Sequence, residues 1–219
     1  MSVAAKICGV SQSADIDSAV SSGASYVGFV FYPRSPRNLM PDQAAALAAA
    51  TPSGVTTVAL FVDPDDAALD AVLHRARIDL LQLHGDESPE RIADIKNRTG
   101  VRVMKAIKIA VADDFAAATP FLGIADQLLF DAKAPPTLEG AMPGGNAVSY
   151  DWELLAGRNW PCPWMLSGGL NPDNVAEAIR ISGAPAVDVS SGVESAPGVK
   201  DPARIKAFLR TASPQSRVR

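Results

Sequence analysis

Cys8, Asp131 and two glycine-bearing segments, Ser167-Gly168-Gly169 and Ser190-Ser191-Gly192, are the residues whose types and placement offer chemistry. A thiolate can take a proton from carbon, although a free thiol, with a pKa of about 8.5, is mostly neutral at pH 7. Lys6 stands two residues before Cys8 and so shares its face of an extended strand. There it either supports the thiolate or makes an ion pair inside the fold. Asp131 follows the apolar run Leu128-Leu129-Phe130. An apolar setting favours the neutral carboxylic acid, which suits proton donation; the alternative is a carboxylate capping the next turn. The glycines let backbone N–H groups approach a phosphate, the more so beside a helix N-terminus. Each alone is an ordinary turn glycine, and it is the pair of segments that suggests an anion cradle.

Further polar residues fall where an apolar fold must find them partners. Arg34 and Arg37 sit in the proline-stiffened run Tyr32-Pro33-Arg34-Ser35-Pro36-Arg37, where a guanidinium either grips a carboxylate bidentately or lies on the surface. Gln82 and His84 share one strand face, and His84, just before Gly85, is a candidate substrate contact and an alternative base. Asp188 interrupts Ala186-Val187-Asp188-Val189. A buried acid needs a partner or a task, so Asp188 either orients a substrate hydroxyl or pairs with Lys6 or Lys105. His74 falls in a helical stretch and reads as solvated. Cys162 lies between Pro161 and Pro163 at the far end of a strand from Cys8, roughly 17 Å away, so no disulfide joins the two. Metal-ligand spacing, a dinucleotide fingerprint and a phosphate-loop motif are all missing from the sequence, so neither metal nor organic cofactor is expected.

The elements that must position these groups are repeated βα units. Apolar, β-branched runs at 4–8, 26–31, 57–62, 80–84, 103–108, 127–131, 164–167 and 186–190 read as strands. Helical spacing follows each, at 13–22, 41–50, 64–77, 89–98, 113–121, 151–157, 172–181 and 202–211. Asp63-Pro64, Ser88-Pro89, Asn171-Pro172 and Asp201-Pro202 each offer a capping acceptor followed by proline, as at a helix start. Eight uniform pairs favour an α/β fold closed as a single (β/α)8 barrel over 1–212, with an open doubly wound sheet as the alternative; 213–219 reads as a frayed tail. In such barrels reactive groups stand at strand C-termini, and phosphate binds at the loops after strands seven and eight. The long connections 32–39 and 132–150 leave that same end and read as covers for a site.

Composition agrees with a globular enzyme. The chain of 219 residues is 47% hydrophobic and 20% charged with a formal net charge of -4, unlike a disordered chain or a broadly basic nucleic-acid binder. No apolar run approaches the ~20 residues of a bilayer span. The opening residues read as a strand and not a secretion signal, so the cytoplasm is the expected compartment. A small phosphorylated molecule is the expected partner, with no nucleic acid or membrane, and the sequence leaves a homodimer open.

Taken together, Lys6-Ile7-Cys8-Gly9, Gly28-Phe29-Val30-Phe31 with Ser35-Pro36-Arg37, Leu81-Gln82-Leu83-His84-Gly85, Ser167-Gly168-Gly169-Leu170-Asn171-Pro172 and Val187-Asp188-Val189-Ser190-Ser191-Gly192-Val193-Glu194 make a specific signature. In that order, over almost the full length, they resemble the phosphoribosylanthranilate isomerase family of tryptophan biosynthesis. The resemblance implies a cofactor-free Amadori rearrangement of N-(5-phosphoribosyl)anthranilate on a (β/α)8 barrel. It also implies roles: Asp131 as general acid toward the ribose ring oxygen, Cys8 as general base at sugar carbon 2, and Arg37 on the anthranilate carboxylate. Gln82, His84 and Asp188 are expected at the substrate, and Gly145, Gly168, Gly169, Ser190, Ser191 and Gly192 at its phosphate. One stretch departs from the family, with Gly144-Gly145-Asn146-Ala147 standing where Gly-Gly-Thr/Ser-Gly is usual. The related histidine-pathway isomerase carries aspartate at the position of Cys8, which argues against that alternative, and the presence of both Cys8 and Asp131 argues against a phosphate-binding barrel without turnover.

Overall fold

Side chains on a strand alternate between two faces, and here that alternation separates two cores. The computed structural model describes residues 3–135, 137 and 142–213. Eight parallel strands follow in sequence order: β1 (Ala4–Cys8), β2 (Tyr26–Phe31), β3 (Thr56–Phe61), β4 (Leu80–Leu83), β5 (Arg102–Ile109), β6 (Gln127–Ala132), β7 (Trp164–Leu166) and β8 (Ala186–Val189). β8 pairs back onto β1 with Lys6 beside Asp188, so the sheet is a closed barrel and not an open doubly wound sheet. Val58, Leu80, Met104, Ala106, Leu129, Met165 and Ala186 fill the barrel interior. The other face of the same strands, including Ile7, Phe29, Leu81, Leu83, Phe130 and Val187, packs under the helices in the larger core. Full burial of each such large side chain contributes about 1.5–3 kcal/mol.

Among the described residues six α-helices cover the barrel: α1 (Ser13–Ser21), α2 (Pro41–Ala50), α3 (Asp66–Leu73), α4 (Pro89–Thr99), α5 (Val175–Ser182) and α6 (Pro202–Ala212). Two of the expected helices are instead 3-10 segments. In Ala112–Phe121, Pro120 lacks the N–H that an α-helical turn needs. Trp152–Leu155 spans four residues, too few to repay α-helix nucleation. The first segment is held by an aromatic cluster in which Phe130 lies 5.3 Å from Phe115 and 4.7 Å from Trp160.

Two expected helix starts hold and two move. Ser88 and Asp201 cap α4 and α6 by accepting backbone N–H bonds, with Pro89 and Pro202 next in line. α3 instead starts after Asp65, because Asp63 adopts a left-handed φ of 46° and accepts from the Asp86 N–H at 2.7 Å. α5 starts after Asn174, although Asn171 accepts from the Asp173 and Asn174 N–H groups at the same offsets that Asp201 uses at α6. An unexpected antiparallel hairpin, β9 (Glu194–Ala196) and β10 (Val199–Lys200), follows β8. Among the described residues no helix is long and apolar enough to cross a membrane. The expected frayed tail lies, apart from Ser213, outside the described residues.

Candidate active site

Alternate strands of a closed barrel contribute side chains to one layer, so inward residues on β4 and β6 meet across the intervening β5. Gln82 and the residue just past β4, His84, point inward by period two, as does Asp131 on β6. Gln82 Nε2 lies 2.9 Å from His84 Nδ1, and His84 Nε2 lies 3.1 Å from Asp131 Oδ2. All three residues are buried. Tyr150 adjoins this chain; burial, and then the charge of Asp131, push its phenol well above the ordinary tyrosine value. It is therefore a neutral neighbour.

Across the barrel, β1 and β8 carry an ionic counterpart. Lys6 is fully buried and donates to Asp188 Oδ1 at 2.9 Å, while Asp188 Oδ2 accepts from the Ser167 hydroxyl at 3.3 Å. Burial alone would lower the Lys6 value, but Asp188 and Cys8 raise it, so the ammonium stays charged. Burial dominates at Cys8 and pushes the thiol up; Lys6 acts against this, and Asp188 reinforces it. Of the two roles open to Lys6, the interior ion pair with Asp188 is found, and its charge still opposes the larger effect of burial on the thiol. Of the two partners considered for Asp188, Lys6 is the one found. Lys105 faces outward and bonds Glu87 Oε2 at 2.6 Å and the Gly85 carbonyl at 2.7 Å.

Arg37 is buried and gripped side-on by Glu194, with Nε to Oε1 at 2.7 Å and Nη2 to Oε2 at 2.8 Å. The remaining nitrogen, Nη1, is directed toward Gly145, where an added Cβ would sit 2.9 Å from it. Lys200 reaches the same carboxylate at 2.7 Å and the Ser190 carbonyl at 3.0 Å. Burial alone would raise the Glu194 carboxyl, but the Arg37 hydrogen bonds and the Lys200 charge overcome it, and the value lies below the usual one. Sequence reading missed Glu194 and Lys200 as parts of the site. The signals were the place of Glu194 at the end of the last signature stretch and a charged pair flanking Ser195–Val199, in a segment whose hairpin was not expected. Arg34 is exposed.

Several of these groups open on one cleft with about 770 Å³ of empty space, open solvent at its mouth included. Cys8, Arg37, Gln82, His84, Asp131 and Asp188 line it together with Gly145, Gly168, Gly169, Ser190 and Ser191. Described parts of both long connections, Tyr32 to Arg37 and Met142 to Val148, form its walls. Gly192 is the exception among the expected phosphate residues and is not a lining residue. A Cβ there would come within 1.9 Å of the Leu170 carbonyl oxygen, so this glycine lets the loops after β7 and β8 touch. In the unusual stretch, Ala147 takes a left-handed φ of 56°, and the Asn146 side chain closes the turn onto the Met142 backbone. The two cysteines are free thiols.

Comparison with known proteins agrees with this arrangement. Residues 5–211 match the family described as N-(5'phosphoribosyl)anthranilate (PRA) isomerase. The N-(5'-phosphoribosyl)anthranilate isomerase of Paramagnetospirillum magneticum is 59% identical over 97% of this chain and 98% of its own. The crystal structure of phosphoribosyl anthranilate isomerase from Thermotoga maritima superposes with a TM-score of 0.86 at 36% identity, covering 96% of this chain and 98% of that one. A structure of the isomerase in complex with reduced 1-(o-carboxyphenylamino)-1-deoxyribulose 5-phosphate superposes with a TM-score of 0.81 at 34% identity, over 96% of this chain and 98% of that one. A closed barrel, a thiol and a carboxyl group on one cleft, and homology along nearly the whole chain converge: the chain belongs to the N-(5'-phosphoribosyl)anthranilate isomerase family.

Proposed function

We propose that the chain isomerises N-(5-phosphoribosyl)anthranilate to 1-(2-carboxyphenylamino)-1-deoxyribulose 5-phosphate in tryptophan biosynthesis, using its own side chains alone. The observation that carries this reading is the placement of Cys8 and Asp131 on one cleft beside the loops after β7 and β8. Asp131 transfers a proton to the ribose ring oxygen while the C–O bond breaks and the nitrogen lone pair forms a Schiff base. Cys8 then removes the proton on carbon 2, and the electron pair moves through the C=N system to give an enolamine, which tautomerises to the ketone. One acid and one base suffice for this sequence.

The remaining residues hold the substrate. Glu194 aligns Arg37 so that Nη1 meets the anthranilate carboxylate. Asp188, held by Lys6, accepts from a sugar hydroxyl. Gly145, Gly168, Gly169, Ser190 and Ser191 surround the phosphate, and His84 and Gln82 support the acid. A phosphorylated sugar does not cross a bilayer unaided, and the cytoplasm is the compartment in which this enzyme meets it.

The test is loss of anthranilate fluorescence from the phosphoribosyl substrate, with Cys8→Ala as the paired control. Turnover by the wild type and its loss in the variant are expected. A folded wild type that turns over only the histidine-pathway aminoaldose phosphate would overturn the reading.

A further inference from the structure

One buried polar atom in the cleft has no partner among the described residues: Gln82 Oε1. Its amide partner atom, Nε2, is spent on His84 Nδ1 at 2.9 Å. Fully buried acceptors rarely go unpaired, and an exception asks what the arrangement achieves. An amide N–H aimed at Nδ1 requires a lone pair there, which places the ring proton on Nε2, facing Asp131 Oδ2 at 3.1 Å. A second ring proton would set two N–H donors head to head.

We propose that Gln82 is a positioning residue for the general acid: its amide N–H fixes His84 as the neutral Nε2–H tautomer, and that N–H holds Asp131 by Oδ2 so that its proton rides on Oδ1, toward the substrate. The proposal rests on the isomerase reading and on Asp131 as its acid. When Asp131 acts, its Oδ1–H bond breaks, a new O–H bond forms at the ribose ring oxygen, and that oxygen takes the electron pair of the ring C–O bond. The carboxylate left behind is met by the Nε2–H already in place, and His84 neither gains nor loses a proton. With Gln82 turned half a rotation, Oε1 would instead welcome a proton on Nδ1. His84 would then carry its proton on Nδ1, and its Nε2 lone pair would draw the Asp131 proton onto Oδ2, away from the substrate. Gly144 closes this unit, since a Cβ there would lie 2.8 Å from His84 Nε2 and 2.9 Å from Asp131 Oδ2. The other ionisable groups around it are Tyr150 next to Asp131, and Cys8, Tyr32, Arg37 and Asp188 on the same cleft.

The chain has two histidines, so ring tautomers can be read directly by two-bond 1H–15N correlation on the 15N-labelled full-length protein, with exposed His74 as reference. The wild type at pH 7.5 is expected to show His84 as neutral Nε2–H. Gln82→Glu sets a carboxylate against Nδ1 and should produce the imidazolium pattern. Its kcat should fall by about 10-fold to 100-fold, short of the 10²–10⁴ of a lost acid, with KM changed less. Gln82→Met, of similar bulk but without the N–H, should mix the tautomers and lose an intermediate amount. An active wild type whose His84 is Nδ1–H or charged would overturn this role alone, as would variants with unchanged tautomer and kcat. A folded wild type without turnover would overturn the isomerase reading and this role with it.

Discussion

The two sides of the cleft solve burial in opposite ways. On β4 and β6, Gln82, His84 and Asp131 form a single file of hydrogen bonds with one acceptor left over. On β1 and β8, Lys6 and Asp188 form an ion pair with a thiol beside it. A group that must give up a proton can be supported by neutral donors, which stabilise the carboxylate it leaves. A group that must accept one has to carry charge into an apolar barrel, and a full positive charge nearby helps it do so. Burial still outweighs Lys6 at Cys8. The base is therefore the harder half of the site to build, and the ionic side is where the molecule is most easily damaged.

The largest effect should come from the acid side in activity alone. Asp131→Asn removes the proton and should cost about 10²–10⁴-fold in kcat, with the unfolding midpoint in urea little changed. A variant within a few fold of wild type would remove Asp131 from the chemistry.

The ionic side should instead answer in stability. Lys6→Met leaves Asp188 buried without its cation and should destabilise the fold by about 3–5 kcal/mol. The double variant Lys6→Met/Asp188→Leu should recover much of that loss. Equal unfolding free energies for Lys6→Met and wild type would erase the contrast between the two sides.

A pH titration sharpens the comparison further. A thiol raised by burial is less ionised at any given pH, so iodoacetamide should label Cys8 more slowly than a free thiol, with the midpoint of reactivity above about 8.5. Lys6→Met, lacking the opposing charge, should move that midpoint higher still. A midpoint below the free-thiol value would show that Lys6 wins after all.

Glu194 tests the binding arm. Glu194→Gln frees the buried Arg37 from its fork and should raise KM about 10-fold with a smaller change in kcat, as loss of uniform binding does. The carboxyl is depressed in the folded state, so its stabilisation is complete above its unfolded value of about 4.3 and is lost as pH falls through the lower folded value. The stability difference between wild type and Glu194→Gln should accordingly begin to shrink as pH falls below about 4.3.

The smallest effect is local. Ala147→Gly relieves a left-handed alanine and should stabilise the loop by about 1 kcal/mol or less, with kcat unaltered.

The barrel strands, Cys8, Asp131 and the paired glycine loops were legible in the chain because each follows from local pattern. Period-two alternation marks strands, strand ends mark a rim, and glycine marks close backbone approach. Helix starts at Ser88 and Asp201 were equally legible, since nothing else competes for those side chains. Asp63 carried the same local signal, yet its acceptor was taken by the Asp86 N–H, and Asn171 accepts from the N–H groups two and three residues on without the α-helix beginning before Val175. The helical spacing at 113–121 and 151–157 was real, but Pro120 and short length turned both into 3-10 segments.

Sequence by itself therefore determined the fold class and put the candidate reactive residues at one end of the barrel. Tertiary structure alone decided their pairing: Lys6 with Asp188 across 182 positions, Arg37 with Glu194 across 157, and His84 with Asp131 across 47. Local spacing dictates where a side chain points on its own strand. Which charge it meets, and so which proton it keeps, depends on barrel closure, which brings distant strands within about 3 Å contact and removes the water that would otherwise serve as partner.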